Sequence, residues 1–206
     1  MKIGIIDTGI CNIRSIEYAL YKLNAQSVVL SSYECDFEIE KIILPGVGSF
    51  DHAMKRLEDS GLKEIIIEKV LEDNLPILGI CLGMQLFANS SEEGSLDGLG
   101  LIKGEVLKLK YKNDGRFKVP NVGWSYVSPI SSPFREFYES KGKDPRFYFV
   151  HSYHLQCHDE DHVAMKIHLD KSYCAAVKSK NIWGAQFHPE KSHNFGLEFL
   201  NLWLKS

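Results

Sequence analysis

The chain has 206 residues, 44% of them hydrophobic and 25% charged, with a formal net charge of −3. That length is enough for one continuous α/β core, and the charge balance offers neither a nucleic-acid footprint nor a polybasic membrane anchor. No apolar run approaches the ~20 residues of a membrane helix, and the five widely spaced cysteines (Cys11, Cys35, Cys81, Cys157, Cys174) fit a reducing cytoplasm better than a disulfide framework.

In chain order, Lys2 to Asp7 is an aliphatic run closed by Thr8-Gly9, a first strand with no small-residue cleavage site behind it. Asn12 is an N-cap candidate, and Ile13, Ile16, Leu20 and Leu23 then recur at helical spacing. Strands are expected at Ser27–Leu30, Lys41–Leu44 and Leu75–Ile80, with helices at about Asp51–Leu57 and Leu62–Glu72. Strand alternating with helix predicts a parallel sheet. From Gly100 to Gln186 strand patterns dominate: "GLIKGEVLKL", "RFYFVHSYHL", "HVAMKIHL", "YCAAVKS" and "IWGAQF". The last two flank "KSKN", a hairpin-sized connection. A short helix is predicted at Pro133–Ser140 and an amphipathic one at Asn194–Leu204, whose Phe195, Phe199, Leu200 and Trp203 form a core stripe. No repeat or linker interrupts residues 1–206. The expectation is one domain: an α/β three-layer sandwich with a largely parallel central sheet and an antiparallel extension in the second half.

Chemistry concentrates at three strand ends. In "LPILGICLGMQLF", Cys81 stands between Gly79 and Gly83 where a buried strand turns into a helix. Ligands of open α/β sheets bind outside the carboxyl ends of strands. A sharp strand-to-helix turn there strains the backbone and demands small neighbours, the logic of a nucleophile elbow with sulfur in place of oxygen. The helix N-terminus favours thiolate, and the Leu82 N–H is placed for an oxyanion. The same motif also fits a structural cysteine between packing glycines, so it needs a base beside it. In "WGAQFHPEKS", His188 ends an apolar strand and Glu190 follows two residues on, stiffened by Pro189, so the carboxylate can orient the imidazole. In "LPGVGSF", the Gly46-Val47-Gly48 run leaves backbone amides uncovered for a second oxyanion donor. Dinucleotide binding is set aside there, because Asp51 stands where G-x-G-x-x-G needs its last glycine.

"GICLGMQ", "PGVGSF" and "HPEKS", in this order and spacing, resemble the class I, triad-type glutamine amidotransferases over essentially the whole chain. With "PNVGW" and "FYFVHSYH" included, the likeness is closest to the branch forming the glutaminase subunit of imidazole glycerol phosphate synthase. The resemblance implies a flavodoxin-like fold and a catalytic triad of Cys81, His188 and Glu190 that hydrolyses glutamine through a thioester. It also implies an oxyanion hole around Gly46, Val47, Gly48 and Leu82. Gly48, Gln85, Glu93, Ser152 and Tyr153 would hold glutamine, and no cofactor or metal is implied. The implied partner is a (β/α)8-barrel cyclase in a heterodimer of histidine biosynthesis, with Trp124 near the docking face. Gln85 lies one turn beyond Cys81, so helical spacing alone lets it face the pocket.

The segment Pro120-Asn121-Val122-Gly123-Trp124-Ser125 departs from the familiar P-H-M-G-W-N at Asn121 and Ser125. The alternatives are a paralogous subunit feeding a cyclase-like partner that amidinates a surface sugar, a non-catalytic regulatory or chaperone-like protein on the same fold, and a cysteine peptidase of related fold. His151, His154, Cys157 and His158 in "HSYHLQCH" are ligand types for zinc, but no CxxC pair closes a site and strand alternation turns His151 and His154 apart. Cys11 has a preceding-loop glycine but no second one, and is expected to be buried and inert.

Overall fold

A computed structural model of the chain describes residues 1–9, 11–33, 38–111, 117–142 and 144–206; Cys35 lies outside them. The elements are β1 (Lys2–Ile6), α1 (Ile13–Lys22), β2 (Gln26–Leu30), β3 (Lys41–Gly46), α2 (Phe50–Asp59), α3 (Leu62–Leu71), β4 (Ile77–Cys81), α4 (Leu82–Gln85), β5 (Ser90–Ser91) and β6 (Gly104–Lys108). Then follow β7 (Asn121–Pro129), α5 (Phe134–Ser140), β8 (Arg146–His151), β9 (Tyr153–Cys157), β10 (Val163–His168), β11 (Ser172–Ser179), β12 (Ile182–Ala185) and α6 (His193–Leu204). None of the described helices is long and apolar enough to cross a membrane.

The main sheet runs β2-β1-β3-β4-β12-β11-β10-β7-β8. The first five strands in that order are mutually parallel and the rest antiparallel. Period-two alternation explains why the parallel strands read as continuous apolar runs. On one face Ile3, Ile5, Ile43, Leu78 and Ile80 pack with Ile16 and Leu20 of α1 and Phe199 and Trp203 of α6. On the other, Ile42, Leu44 and Ile77 pack with Phe50, Met54 and Leu57 of α2 and Leu62, Ile66 and Val70 of α3. Two helix layers thus sandwich the sheet. A smaller sheet, β5-β6-β9, stands beside it.

The antiparallel half differs from expectation in two places. "RFYFVHSYHL" reads as one strand, yet it breaks at Ser152 into β8 and β9, which belong to different sheets. β7 is missed altogether, because Pro120, Gly123 (φ +130°) and Pro129 punctuate the run and its apolar residues Val122, Trp124 and Tyr126 face outward. The hairpin at "KSKN" forms, with Ser179 opposite Ile182 and Lys180 at φ 51°.

Sheet order puts β8 at the far edge from β4, yet the two meet. The His188 N–H donates to the Tyr148 carbonyl at 2.9 Å, and the Phe147 ring stacks on Phe187 at 3.8 Å. The antiparallel half therefore curls back so that its edge strand overhangs the carboxyl ends of β3, β4 and β12.

Those carboxyl ends leave no room for side chains. Gly46 is in register with Cys81, and Gly184 with Gly79. A Cβ on Gly79 would lie 2.7 Å from the Met84 backbone, and one on Gly83 only 1.8 Å from the Leu44 carbonyl oxygen. Gly83→Ala is therefore expected to destabilise the fold by about 3 kcal/mol, read as a lowered urea midpoint. A midpoint matching wild type would mean the turn has slack.

Candidate active site

Cys81 is the last residue of β4 and stands directly before α4, with φ 55° and ψ −110°. A non-glycine residue held there costs of order 1–3 kcal/mol and persists only where packing imposes it, here through the crowding at Gly79 and Gly83. The strained turn expected from the sequence is present. The helix after it is shorter than the sequence pattern suggests: α4 is a single turn, so its macrodipole is small, and what remains for an anion are the local N–H groups of the turn.

A cavity of about 260 Å³ opens above Cys81, lined by Val47, Gly48, Leu82, Gln85, Glu93, Ser152 and Tyr153 together with Pro120, Val150 and His151. The structure brings all the expected pocket residues together except Gly46, which stands behind the lining, its Cα face packed against Leu82. The oxyanion candidates Val47, Gly48 and Leu82 sit at the same end as the sulfur. Glu93 also secures the start of α2, where its Oε2 accepts the Phe50 N–H at 2.9 Å.

His188 and Glu190 lie beneath the cavity rather than in its lining. Both are nearly sealed from solvent, and His188 Nδ1 is 2.8 Å from Glu190 Oε1. Since a carboxylate only accepts, Nδ1 carries the proton. The backbone is pinned as well, because the Ser192 hydroxyl donates to the His188 carbonyl at 2.6 Å and accepts the Tyr148 N–H at 3.0 Å. Burial disfavours the imidazolium, but the neighbouring Cys81 and Glu190 outweigh it and lift the His188 pKa to about 9. Among the described residues, no group completes a hydrogen bond to His188 Nε2.

Three neighbours escaped the sequence reading. Gln186, fully buried, aims its amide nitrogen at Cys81 Sγ from 3.7 Å; the signal was a polar residue inside the apolar run before His188. The Val150 carbonyl approaches the same sulfur at 3.8 Å, which no sequence pattern encodes. His151 walls the cavity. Its Nδ1–H donates to the Tyr153 carbonyl at 2.8 Å, leaving Nε2 to accept from Asn121 Nδ2 at 3.1 Å. Burial first, and the neighbouring histidines after it, push the His151 pKa down to about 4, so it is neutral near pH 7. Cys11, expected to be buried, is only half-buried, its pKa raised by burial and by Asp7.

Residues 4–204 match the family described as "Glutamine amidotransferase class-I". The chain is 42% identical to "Imidazole glycerol phosphate synthase subunit HisH 2" of Methanococcus maripaludis, over 98% of both chains. It is 39% identical to "Imidazole glycerol phosphate synthase subunit HisH" of Leptospira borgpetersenii, over 96% of this chain and 97% of that one. Among solved structures, "Structure of PurLQS from Thermotoga maritima" superposes with a TM-score of 0.72 at 21% identity, covering 99% of this chain and 97% of its own. A "Crystal structure of glutamine amidotransferase" reaches the same TM-score of 0.72 at 18% identity, covering 97% and 96%; at such identities these two speak for the fold alone. The sequence matches span the elbow, the glycine loop and the His188–Glu190 pair alike, and by them the chain belongs to the class I glutamine amidotransferases.

Proposed function

We propose that residues 1–206 act as one glutaminase domain, the ammonia-donating subunit of an imidazole glycerol phosphate synthase, working in the cytoplasm. The observation that carries this reading is Cys81 in the lining of a cavity sized for a small molecule, with the buried His188–Glu190 pair near enough to interact with it. Full-length likeness to relatives bearing that subunit's name supports the choice of substrate.

The Cys81 thiolate attacks the side-chain amide carbon of glutamine, and negative charge grows on the amide oxygen. The N–H groups of Leu82 and of the Val47–Gly48 segment are the donors available to it. With a pKa near 9, His188 is imidazolium at neutral pH; it gives its Nε2 proton to the departing ammonia as the C–N bond breaks and the γ-glutamyl thioester forms. The imidazole, now neutral, takes a proton from water, the hydroxide adds to the thioester, and the C–S bond breaks to release glutamate. Glu190 holds the tautomer throughout. The pocket carboxylate of Glu93 and the carbonyl oxygen of Gln85 suit the α-ammonium group of glutamine.

The face for a cyclase partner is supported by exposed apolar side chains. Val122, Trp124 and Tyr126 project from β7 beside Val150 of β8, and Val47 is exposed at the cavity mouth. Trp124 stacks on His193 with ring centroids 5.3 Å apart, and Arg146 lies over both Trp124 and Tyr126. A patch of this kind against the cavity fits a barrel that receives ammonia directly. Asn121, bonded to the cavity wall at His151, favours a second reading in which the partner is a cyclase-like paralogue that amidinates a surface sugar. Glutamate release measured with each purified cyclase separates the two, since only the cognate one should stimulate it.

Cys81→Ala is expected to lower glutamine hydrolysis by at least ~10³-fold with the melting curve and partner binding unchanged; turnover that survives the change rejects the nucleophile. Glu190→Gln removes the anion that favours imidazolium, so the His188 midpoint, followed by NMR of its ring proton, should fall by about one unit or more. His188 is raised in the folded protein from an ordinary 6.5 to about 9, so its contribution is complete below pH 6.5 and lost as pH climbs through 9. The wild-type urea midpoint should decline across that window, and by less in Glu190→Gln. Equal slopes would show the pair is not coupled to folding.

A further inference from the structure

The polar groups under Cys81 form a chain whose direction is set by a backbone carbonyl. The Tyr153 carbonyl oxygen can only accept, and two donors reach it: His151 Nδ1 at 2.8 Å and Gln85 Nε2 at 2.9 Å. Rotating the Gln85 amide would set its oxygen against that carbonyl, so the nitrogen must face Tyr153. The second hydrogen of Gln85 Nε2 goes to Gln186 Oε1, also at 2.9 Å. Gln186 then has no freedom either: its oxygen is taken, and its NH₂ group faces Cys81 Sγ at 3.7 Å. Both side chains are sealed, Gln85 at 4% exposure and Gln186 at 0%. The Val150 carbonyl, 3.8 Å from the same sulfur, is an acceptor that a thiol can satisfy and a thiolate cannot.

We propose that Gln186 is a positioning residue for the nucleophile, its amide N–H holding the Cys81 sulfur in the attacking geometry and favouring the thiolate over the thiol. The inference rests on Cys81 being the nucleophile of the glutaminase reading and deepens it. It gives Gln85 two roles as well. Its nitrogen is wholly committed to the chain, so only its oxygen can meet a substrate, and it must do so as an acceptor. A buried amide with a fixed polarity suits this use, because it offers a donor to the anion without adding a charge that would have to be desolvated.

The test is the pH dependence of Cys81 alkylation by iodoacetamide, measured on the intact protein by mass spectrometry. Gln186→Met keeps the length and removes the donor. Gln186→Glu keeps the acceptor for Gln85 and removes the donor when ionised. In both, the alkylation midpoint should rise so that about three- to tenfold less thiolate is present at a given pH below it. The kcat for glutamine should drop by a similar ~3–10-fold, with KM changed by less than about twofold. A midpoint identical to wild type in variants that melt normally overturns the proposal and leaves Gln186 a packing residue. Should neither variant fold, the wild-type protein decides. The Gln186 side-chain amide protons, assigned through space in an ¹⁵N-labelled sample, should titrate with the alkylation midpoint, and a flat trace overturns the proposal. Neither the alkylation midpoint nor the amide-proton midpoint uses glutamine. A wild-type protein that never hydrolyses glutamine would therefore reject the glutaminase function while the two midpoints still judge Gln186.

Discussion

Much of the molecule is arranged around one crowded turn. Cys81 is held at φ 55° between a strand and a single helical turn, in a backbone region a side chain adopts only under compulsion. The compulsion comes from close approach on both sides. Leu44 of β3 presents its carbonyl where a Gly83 side chain would be, and Met84 and Phe87 occupy the space beside Gly79. Each neighbour is itself locked into the face of the sheet that α2 and α3 cover. The Cys81 sulfur is thus braced by the hydrophobic core, and strain at the turn is offset by burial elsewhere.

The second constraint is the return of the antiparallel half. β8 is five places from β4 in the sheet order, yet aromatic packing of Phe147 and Phe149 on Phe187 draws it back over the carboxyl rim. That closure delivers three things at once: the carbonyl of Tyr148 to the His188 backbone, the carbonyl of Val150 to the sulfur, and the His151–Tyr153 turn to the cavity wall. It also leaves the outer face of the β7–β8 pair, with Val122, Trp124 and Tyr126, open to solvent beside the cavity. The outer surface and Cys81 are therefore separated by the thickness of one strand.

Two buried histidines show how environment divides one residue type into two roles. His188 and His151 are comparably sealed from solvent, and desolvation opposes the charge of each. His188 has Glu190 and Cys81 within reach and is raised to about 9. His151 is bonded to the Tyr153 carbonyl and the Asn121 amide, and burial, with His154 and His188 nearby, lowers it to about 4. Anions decide the first and their lack decides the second. The consequence is an imidazolium beneath the sulfur and a neutral, rigid ring in the wall beside it.

What the sequence alone determined was everything that local chemistry encodes. Aliphatic runs set out the parallel strands, glycines on either side of Cys81 announced the crowded turn, and Pro189 between His188 and Glu190 announced a carboxylate held against the imidazole. Apart from α4, which stops after one turn, the helices fell where the 3.6-residue spacing put them, with ends a residue or two away. Contacts between distant segments were beyond its reach. Nothing in "RFYFVHSYHL" says that the chain changes sheets at Ser152, because the break answers to the curl of the sheet and leaves the strand-like pattern intact. The β7 strand was hidden for a related reason, since its pairing with β8 and β10 outweighs the glycine and prolines that argue against a strand. Gln186 was visible only as a polar residue in an apolar run; that its amide faces the sulfur depends on a carbonyl 33 positions earlier in the chain, at Tyr153. Hydrogen-bond polarity is set by whichever partner cannot rotate, and which partner that is emerges only when the chain has folded.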